Sequence, residues 1–349
     1  MTFAKQQFPP LPEWDGTPRP APVVGVIYNR HSHHNLKRRH PAEAAADLPV
    51  SAGGHPADVI VAEPAGHGDL PATLADFKRR GVELLVMNGG DGTVRDVLSS
   101  GLKVWGDDWP ALAVLPRGKT NALNVDLGAP ADWTLAGVIA AFEQGRRVHR
   151  RGIVMTPLPA SGSAEDSPPP MMGFILGAGA FKTGIKAGQD AHRLGAFNSL
   201  AVGVTAVWGV AQALLGSTRN RWRRGTGMQL LLGPNRDPMP HSGFGDPAQR
   251  WILIASTLGR LPLGMKLFGP YRDGLRVTVM DKARRRTLAM VPAIVVGNAP
   301  GWIGRSGVHF ARADEFELTL DDGFILDGEI FPAGRYHVTE GPELHFVVP

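Results

Sequence analysis

Two textures of hydrophobic patterning divide the chain. In the N-terminal part, apolar runs of strand length alternate with stretches whose apolar residues recur at helical spacing. Val23–Tyr28, Asp58–Ala62 and residues 112–115 read as strands, and residues 70–80 and 135–144 as helices, with Gly81 stopping the first helix. Between them lies residues 84–98: an apolar run, a break at Gly89 and Gly90, then Val94, Val97 and Leu98 at helical intervals. This unit predicts strand, tight loop and helix, and the rest of the chain is organised around it. The alternation argues for an α/β domain over residues 23–147 with a parallel sheet, ligands lying at the carboxyl ends of its strands. Over residues 148–331 the texture changes to glycine-punctuated strands without intervening helices, at residues 228–232, 251–257, 275–279 and 293–296. That predicts an antiparallel, β-rich sandwich. Residues 1–22 are proline-rich and aperiodic, a flexible arm, and residues 157–170 form a polar surface loop. Residues 332–349 hold a terminal strand.

One stretch departs from both textures. Residues 194–216 contain no charged residue and are long enough to span a bilayer, but Asn198, Ser199, Thr205 and Gln212 dilute the hydrophobicity. Leu200, Val204, Val207, Ala211 and Leu214 give the stretch one apolar helical face, and Arg219, Arg221, Trp222, Arg223 and Arg224 follow. Peripheral contact with an anionic membrane surface is one reading; a core helix with a solvated basic end is the other.

Composition sharpens this picture. A chain of 349 residues with 43% hydrophobic content accommodates two cored domains. The net charge of +5 suits phosphate-bearing ligands or an anionic membrane rather than choosing between them. The absence of cysteine excludes disulfides, cysteinyl zinc sites and thiol catalysis. The N-terminus lacks the apolar core of a signal peptide, so a cytoplasmic protein is expected, peripheral on the inner face of the membrane if the basic cluster binds lipid.

The chemistry concentrates in loops. Gly89, Gly90 and Gly92 allow close backbone approach to a ligand, and the helix behind them supplies N–H groups for an anion. Asp91 stands in that phosphate-friendly loop, which makes sense if a divalent cation lies between carboxylate and polyphosphate. The first strand ends in Asn29-Arg30-His31-Ser32-His33-His34-Asn35, where Asn29 and Ser32 pair with phosphate oxygens, helped by Arg30, Lys37, Arg38 and Arg39. A second glycine loop follows the strand at 112–115: Pro116-Arg117-Gly118-Lys119-Thr120-Asn121. There Lys119 offers phosphate a point charge, and Asn121 is either a ligand contact or a plain helix N-cap. Near the C-terminus Asp327-Gly328-Glu329 joins two apolar runs, an ordinary hairpin turn if taken alone.

Gly89-Gly90-Asp91-Gly92-Thr93 resembles the nucleotide loop of diacylglycerol-kinase-type lipid kinases, NAD kinases and, more loosely, phosphofructokinases. The order strand plus Asn29 and Ser32, then that loop, then the loop ending at Asn121, then Asp327-Gly328-Glu329 is similar to the lipid-kinase family that includes bacterial diacylglycerol kinases and eukaryotic sphingosine and ceramide kinases. Arg30 and His33 replace a Pro and a Gly of the family's first loop, and Lys119 stands where its Thr is expected. The resemblance implies a first domain with an NAD-kinase- and phosphofructokinase-like parallel sheet that binds ATP through Asn29, Ser32, Gly89, Gly90, Asp91, Gly92, Thr93, Lys119 and Asn121. It also implies a β-rich lipid-acceptor domain and a last strand returning to the first domain. Catalysis falls to Asp91, working through Mg²⁺, and to Glu329 as general base, with Asp273 as a metal ligand. The implied activity is ATP-dependent phosphorylation of a hydroxyl on a diacylglycerol-like lipid, a step of phospholipid metabolism, with no nucleic-acid partner. A catalytically impaired nucleotide- or lipid-binding regulator, or a NAD kinase relative, is the alternative. Oligomeric state and the identity of the lipid have no signature in the chain.

Overall fold

The computed structural model describes residues 22–32, 34–35, 40–46, 57–118, 121–159, 168–182, 184, 225–282 and 284–349. The arm up to residue 21, Lys37 to Arg39, Lys119, Thr120, much of the 157–170 loop, the apolar stretch 194–216 and the basic cluster after it lie outside the described residues. The chain forms two compact units, one of Met1–Gly152 with Pro342–Pro349, the other of Ile153–Gly341.

In the first unit β1 (Val23–Tyr28), α1 (Pro41–Ala46), β2 (Asp58–Ala62), α2 (Leu70–Arg79), β3 (Leu84–Gly89), α3 (Asp91–Trp105), β4 (Ala111–Pro116), α4 (Ala122–Leu127) and α5 (Leu135–Glu143) follow in order. The strands pair in parallel as β2-β1-β3-β4, with Val24 opposite Val59 and Leu84, and Val86 opposite Ala113. Phe346, near the end of the chain, pairs in parallel with Leu112. Every residue of β3 and β4 is buried, which is why these strands read as unbroken apolar runs rather than alternations. Val24, Val26, Leu84, Val86, Ala113 and Leu115 pack one sheet face against Leu135, Val138, Ile139 and Phe142 of α5. Thr134 caps that helix, its hydroxyl accepting from Gly137 N–H at 3.1 Å.

The second unit is a β-sandwich. Its strands are the distal part of β5 (Arg147–Leu158), then β6 (Met171–Gly173), β7 (Ile175–Gly179), β8 (Thr226–Leu232), the two-residue β9 (Asp237–Pro238) and β10 (Gln249–Arg250), β11 (Ile252–Ser256), β12 (Arg276–Met280), β13 (Val308–Arg312), β14 (Glu315–Leu320), β15 (Phe324–Leu326), β16 (Glu329–Phe331) and the first half of β17 (Gly334–Val347). One sheet runs β13-β12-β11-β7-β15-β16, all antiparallel. In the other, β14 lies antiparallel between β8 and β17. Leu176, Leu253, Val277 and Phe324 from the first sheet meet Met228, Leu230, Phe316, Leu318 and Val338 from the second in one core. β14 alternates half-buried and buried positions, the signature of a strand with one face on that core.

The fold class therefore stands as expected, with one local correction. Residues 293–296 are not a strand: they fall in and just after a short helix, α7 (Val291–Val295), preceded by α6 (Arg285–Ala289). Pro292 sits in the first helical turn, where its missing N–H costs nothing, and Gly297 follows at φ 86°. An apolar run this short has no periodicity of its own, so the flanking proline and glycine decide it.

Candidate functional site

The loops that leave β1, β3 and β4 meet in the first unit. Asn29 Nδ2 donates to Thr93 Oγ1 at 2.9 Å, which ties the loop after β1 to the first turn of α3. Asn29 N–H donates to the Asn88 carbonyl at 3.1 Å, and Asn35 Nδ2 reaches the Asn29 carbonyl at 2.7 Å. Ser32 is buried within the same turn, its N–H donating to the Asn29 carbonyl. Arg30 points elsewhere, to Glu63 at 3.2 Å.

The two glycine loops touch through their backbones. A Cβ on Gly90 would lie 2.9 Å from Gly118 Cα, and a Cβ on Gly118 would lie 2.7 Å from Gly90 Cα, so both positions require glycine for close approach. A Cβ on Gly89 would strike the Thr93 side chain at 2.4 Å. Among the described residues nothing lies within 4 Å of the position a Cβ on Gly92 would take, which leaves that face of the loop open to them. Among the described residues no side chain caps α3, whose N-cap is Gly90. Its first-turn N–H groups point where an anion binds.

Asp91 bridges the two loops. Its Oδ1 accepts the Ala122 N–H at 2.8 Å, so the carboxylate serves α4 as the cap that Asn121 does not provide. Burial raises the Asp91 carboxyl to about 6, against the lowering effect of the backbone N–H groups at Ala122, Asn121 and Leu123. Asn121 holds the N-cap position in the left-handed region at φ 49°, and its side chain turns back on Gly118. Oδ1 accepts from Gly118 N–H at 2.9 Å and Nδ2 donates to the Gly118 carbonyl at 2.8 Å. The plain N-cap reading of Asn121 is therefore replaced by a brace across the Gly118 turn.

Three polar residues that the motifs pass over complete this region. Asn35 is buried and joins the Asn29 and Asn88 carbonyls. Asn88 is buried with Oδ1 lacking a protein partner among the described residues. Arg117 is buried and pins the second loop through the Pro116 and Trp133 carbonyls at 3.1 and 3.0 Å. A polar residue inside an apolar run, as Asn88 is, was the one signal available for them.

In the second unit Asp327 and Gly328, at φ 47° and 86°, make the tight turn between β15 and β16. The Asp327 carboxylate accepts from Phe174 N–H at 2.9 Å and Ile175 N–H at 2.8 Å, fastening the turn to the start of β7. Glu329 follows on β16 with an exposed side chain. Asp273 is 81% exposed, and its carboxylate lies 3.4 Å from Arg312 Nη1. The group among the described residues whose donor atoms converge within 4.8 Å lies instead in the first unit: His149, Glu343 and His345. Arg151 also reaches that glutamate, at 3.4 Å.

Against known proteins, residues 23–151 match the model of the diacylglycerol kinase catalytic domain. The chain is 35% identical over 63 residues to "Probable lipid kinase YegS" of Shigella flexneri, a stretch that covers 18% of this chain and 21% of the relative. The same protein of Escherichia coli strain SE11 matches with the same identity and coverage. The chain thus aligns with about a fifth of the length of these relatives. A crystal structure of a diacylglycerol kinase from Bacillus anthracis str. Sterne covers 94% of this chain and 97% of its own, with TM-score 0.58 and 13% identity, a likeness of fold. The matched span holds the Asn29, Asp91 and Asn121 loops, and over it the chain is similar to the diacylglycerol and lipid kinase family.

Proposed function

We propose that the protein is an ATP-dependent lipid kinase that phosphorylates a hydroxyl of a diacylglycerol-like lipid. The observation that carries the reading is the bond from Ala122 N–H to Asp91 Oδ1, which holds the two glycine loops together, Gly90 against Gly118. With Asn29 hooked to Thr93, the loops of three neighbouring strand ends form one anion-seeking surface. The uncapped start of α3 and the open side of Gly92 suit a polyphosphate, and the buried Asn88 Oδ1 is an acceptor that a ligand hydroxyl would satisfy. Lys119 adds a point charge for phosphate, and Ser32 and Asn121 keep the flanking loops in shape.

Phosphoryl transfer needs placement, neutralisation of charge and removal of the acceptor proton. Placement falls to the backbone from Gly89 to Thr93. Asp91 would hold Mg²⁺, which would neutralise charge on the transferred group, and Asp273 is proposed as a metal-ligating carboxylate of the second unit. A carboxyl near 6 is largely ionised at neutral pH and ready for a cation. Glu329, exposed on its hairpin, takes the proton from the lipid hydroxyl. The lipid docks on the β-rich unit from an anionic membrane surface, on the cytoplasmic side. No helix among the described residues is long and apolar enough to cross a membrane.

The test is a labelled-ATP assay of purified protein against diacylglycerol, monoacylglycerol, sphingoid and phosphatidylglycerol acceptors, with Asp91→Ala as control. Labelled lipid from the wild type and none from the control is expected. ATP binding without turnover on any acceptor would leave a binding protein in place of a kinase.

A further inference from the structure

The second unit carries a cationic pocket that the kinase reading does not use. It encloses about 370 Å³ and is lined by Phe244, Arg284, Arg286, Trp302, Arg305 and Ser306. The Arg284 guanidinium stacks 3.7 Å from the Phe244 ring centroid and that of Arg286 4.9 Å from Trp302. No carboxylate among the described residues forms an ion pair with Arg284, Arg286 or Arg305. Three guanidinium groups lining one concavity repel each other, and aromatic faces offset this only in part.

The walls are fixed while the charges remain accessible. Thr287 and Leu288 of α6 are buried, and Thr287 Oγ1 donates to the Ser306 carbonyl at 2.9 Å, so the segment bearing Arg286 is bolted to the turn bearing Arg305. Leu288, Ile294, Ile303, Val308 and Met280 form the small core beneath, with Trp302 packed against it. Arg286 and Arg305 are exposed, and Phe244 keeps 44% of its surface in solvent. The same unit also exposes Leu263, 74%, and Val296, 65%. Their two segments are joined by the bond from Lys266 N–H to the Val295 carbonyl at 2.8 Å.

Planar guanidinium groups recognise phosphate oxygens in pairs, and half-exposed aromatic rings favour the boundary between water and lipid. We infer that the pocket formed by Arg284, Arg286 and Arg305 with Phe244 and Trp302 receives the phosphodiester headgroup of an anionic phospholipid and seats this unit on the membrane. The inference rests on the membrane contact proposed above. Because vesicle binding is read without ATP, its failure leaves the kinase reading standing.

The experiment is sedimentation with phosphatidylglycerol and phosphatidylcholine vesicles, comparing wild type with Arg284→Gln/Arg286→Gln/Arg305→Gln, and separately with Arg221→Gln/Arg223→Gln/Arg224→Gln. Each arginine at a membrane surface contributes about five-fold in affinity, so the pocket variant should lose on the order of 10²-fold for phosphatidylglycerol. Its binding to phosphatidylcholine, its thermal midpoint and its turnover on a detergent-dispersed acceptor should not change. A triple lysine variant, keeping charge without planar stacking, should recover part of the binding. Undiminished sedimentation of the pocket variant overturns the inference, whether or not the 221–224 variant is impaired. So does a pocket variant that loses only a thermal shift caused by inorganic phosphate, because the site then takes small soluble anions.

Discussion

Each unit presents a motif aspartate, and the two are used differently. Asp91 of the first unit reaches across to a second loop 31 residues away, so its bond to Ala122 N–H joins the two glycine loops. Asp327 of the second unit turns onto Phe174 and Ile175 N–H, fixing its own hairpin to the neighbouring strand and leaving the adjacent Glu329 exposed. In the proposed kinase the motif residue of the first unit is at once structural and chemical. In the second the two roles are divided between Asp327, which holds the turn, and Glu329, which the turn presents. That division makes the comparison open to mutation.

The largest effect is expected from Glu329→Gln. A positioned base contributes about 10²- to 10⁴-fold, so turnover should fall by that factor while ATP affinity and thermal midpoint stay unchanged. Full activity of the variant in a labelled-ATP assay would remove Glu329 from its role. Next comes Gly90→Ala, where the added methyl meets the Gly118 backbone at 2.9 Å. Overpacking against backbone costs about 1–3 kcal/mol, and here it separates the loops, so ATP affinity measured by calorimetry should weaken about 10-fold or more. Unaltered affinity would show that the contact of the two loops is not what grips the nucleotide.

The parts of this molecule that could be read from the sequence are those in which burial imposes a pattern. β1, β3 and β4 are contiguous apolar runs because these parallel strands are covered on both faces, and α3 announces itself at Val94, Val97 and Leu98. The helix at 291–295 was missed because five residues carry no usable period. The motif loops were legible as loops, but their joints were not. Asn29 to Thr93 spans 64 positions and Asp327 to Phe174 spans 153, distances over which sequence spacing says nothing about contact. Hence Asn121 passed for a possible helix cap when the cap is Asp91, and Asn35 and Arg117 drew no structural role although both are buried.

Asp327→Ala tests the structural half of the second unit's division. It removes the acceptor for Phe174 and Ile175 N–H, and an unsatisfied buried donor together with a lost charge-assisted bond costs about 2–4 kcal/mol. The loss should appear in denaturant unfolding and should lower lipid turnover without moving ATP affinity. If ATP affinity fell in parallel, the roles would not be separate.

The smallest expected effect is in the pH dependence, where the two units oppose each other. Burial holds Asp91 up to about 6, above its ordinary 3.8, so between those values the folded form keeps a proton that the unfolded chain has released. Stability from this group therefore falls as pH rises from 3.8 to 6 and is flat above. Asp281 behaves in the opposite sense: although burial works to raise it, hydrogen bonds from His309 and Ser242 hold it down to about 2. Its contribution is present above 3.8 and is lost as pH falls toward 2. A shift of two units corresponds to about 3 kcal/mol, which the partial exposure of Asp91 reduces to about 1–2 kcal/mol for that group. Asp91→Asn keeps an oxygen for Ala122 N–H but cannot ionise, so between pH 7 and 4 the wild type should gain about that much relative to the variant. Asp281→Asn should be destabilised most at neutral pH and approach the wild type near pH 2. Parallel pH profiles for Asp91→Asn and wild type would mean that the carboxyl is already solvated like a surface group. The loop contact that carries the proposed nucleotide site would then rest on the glycines alone.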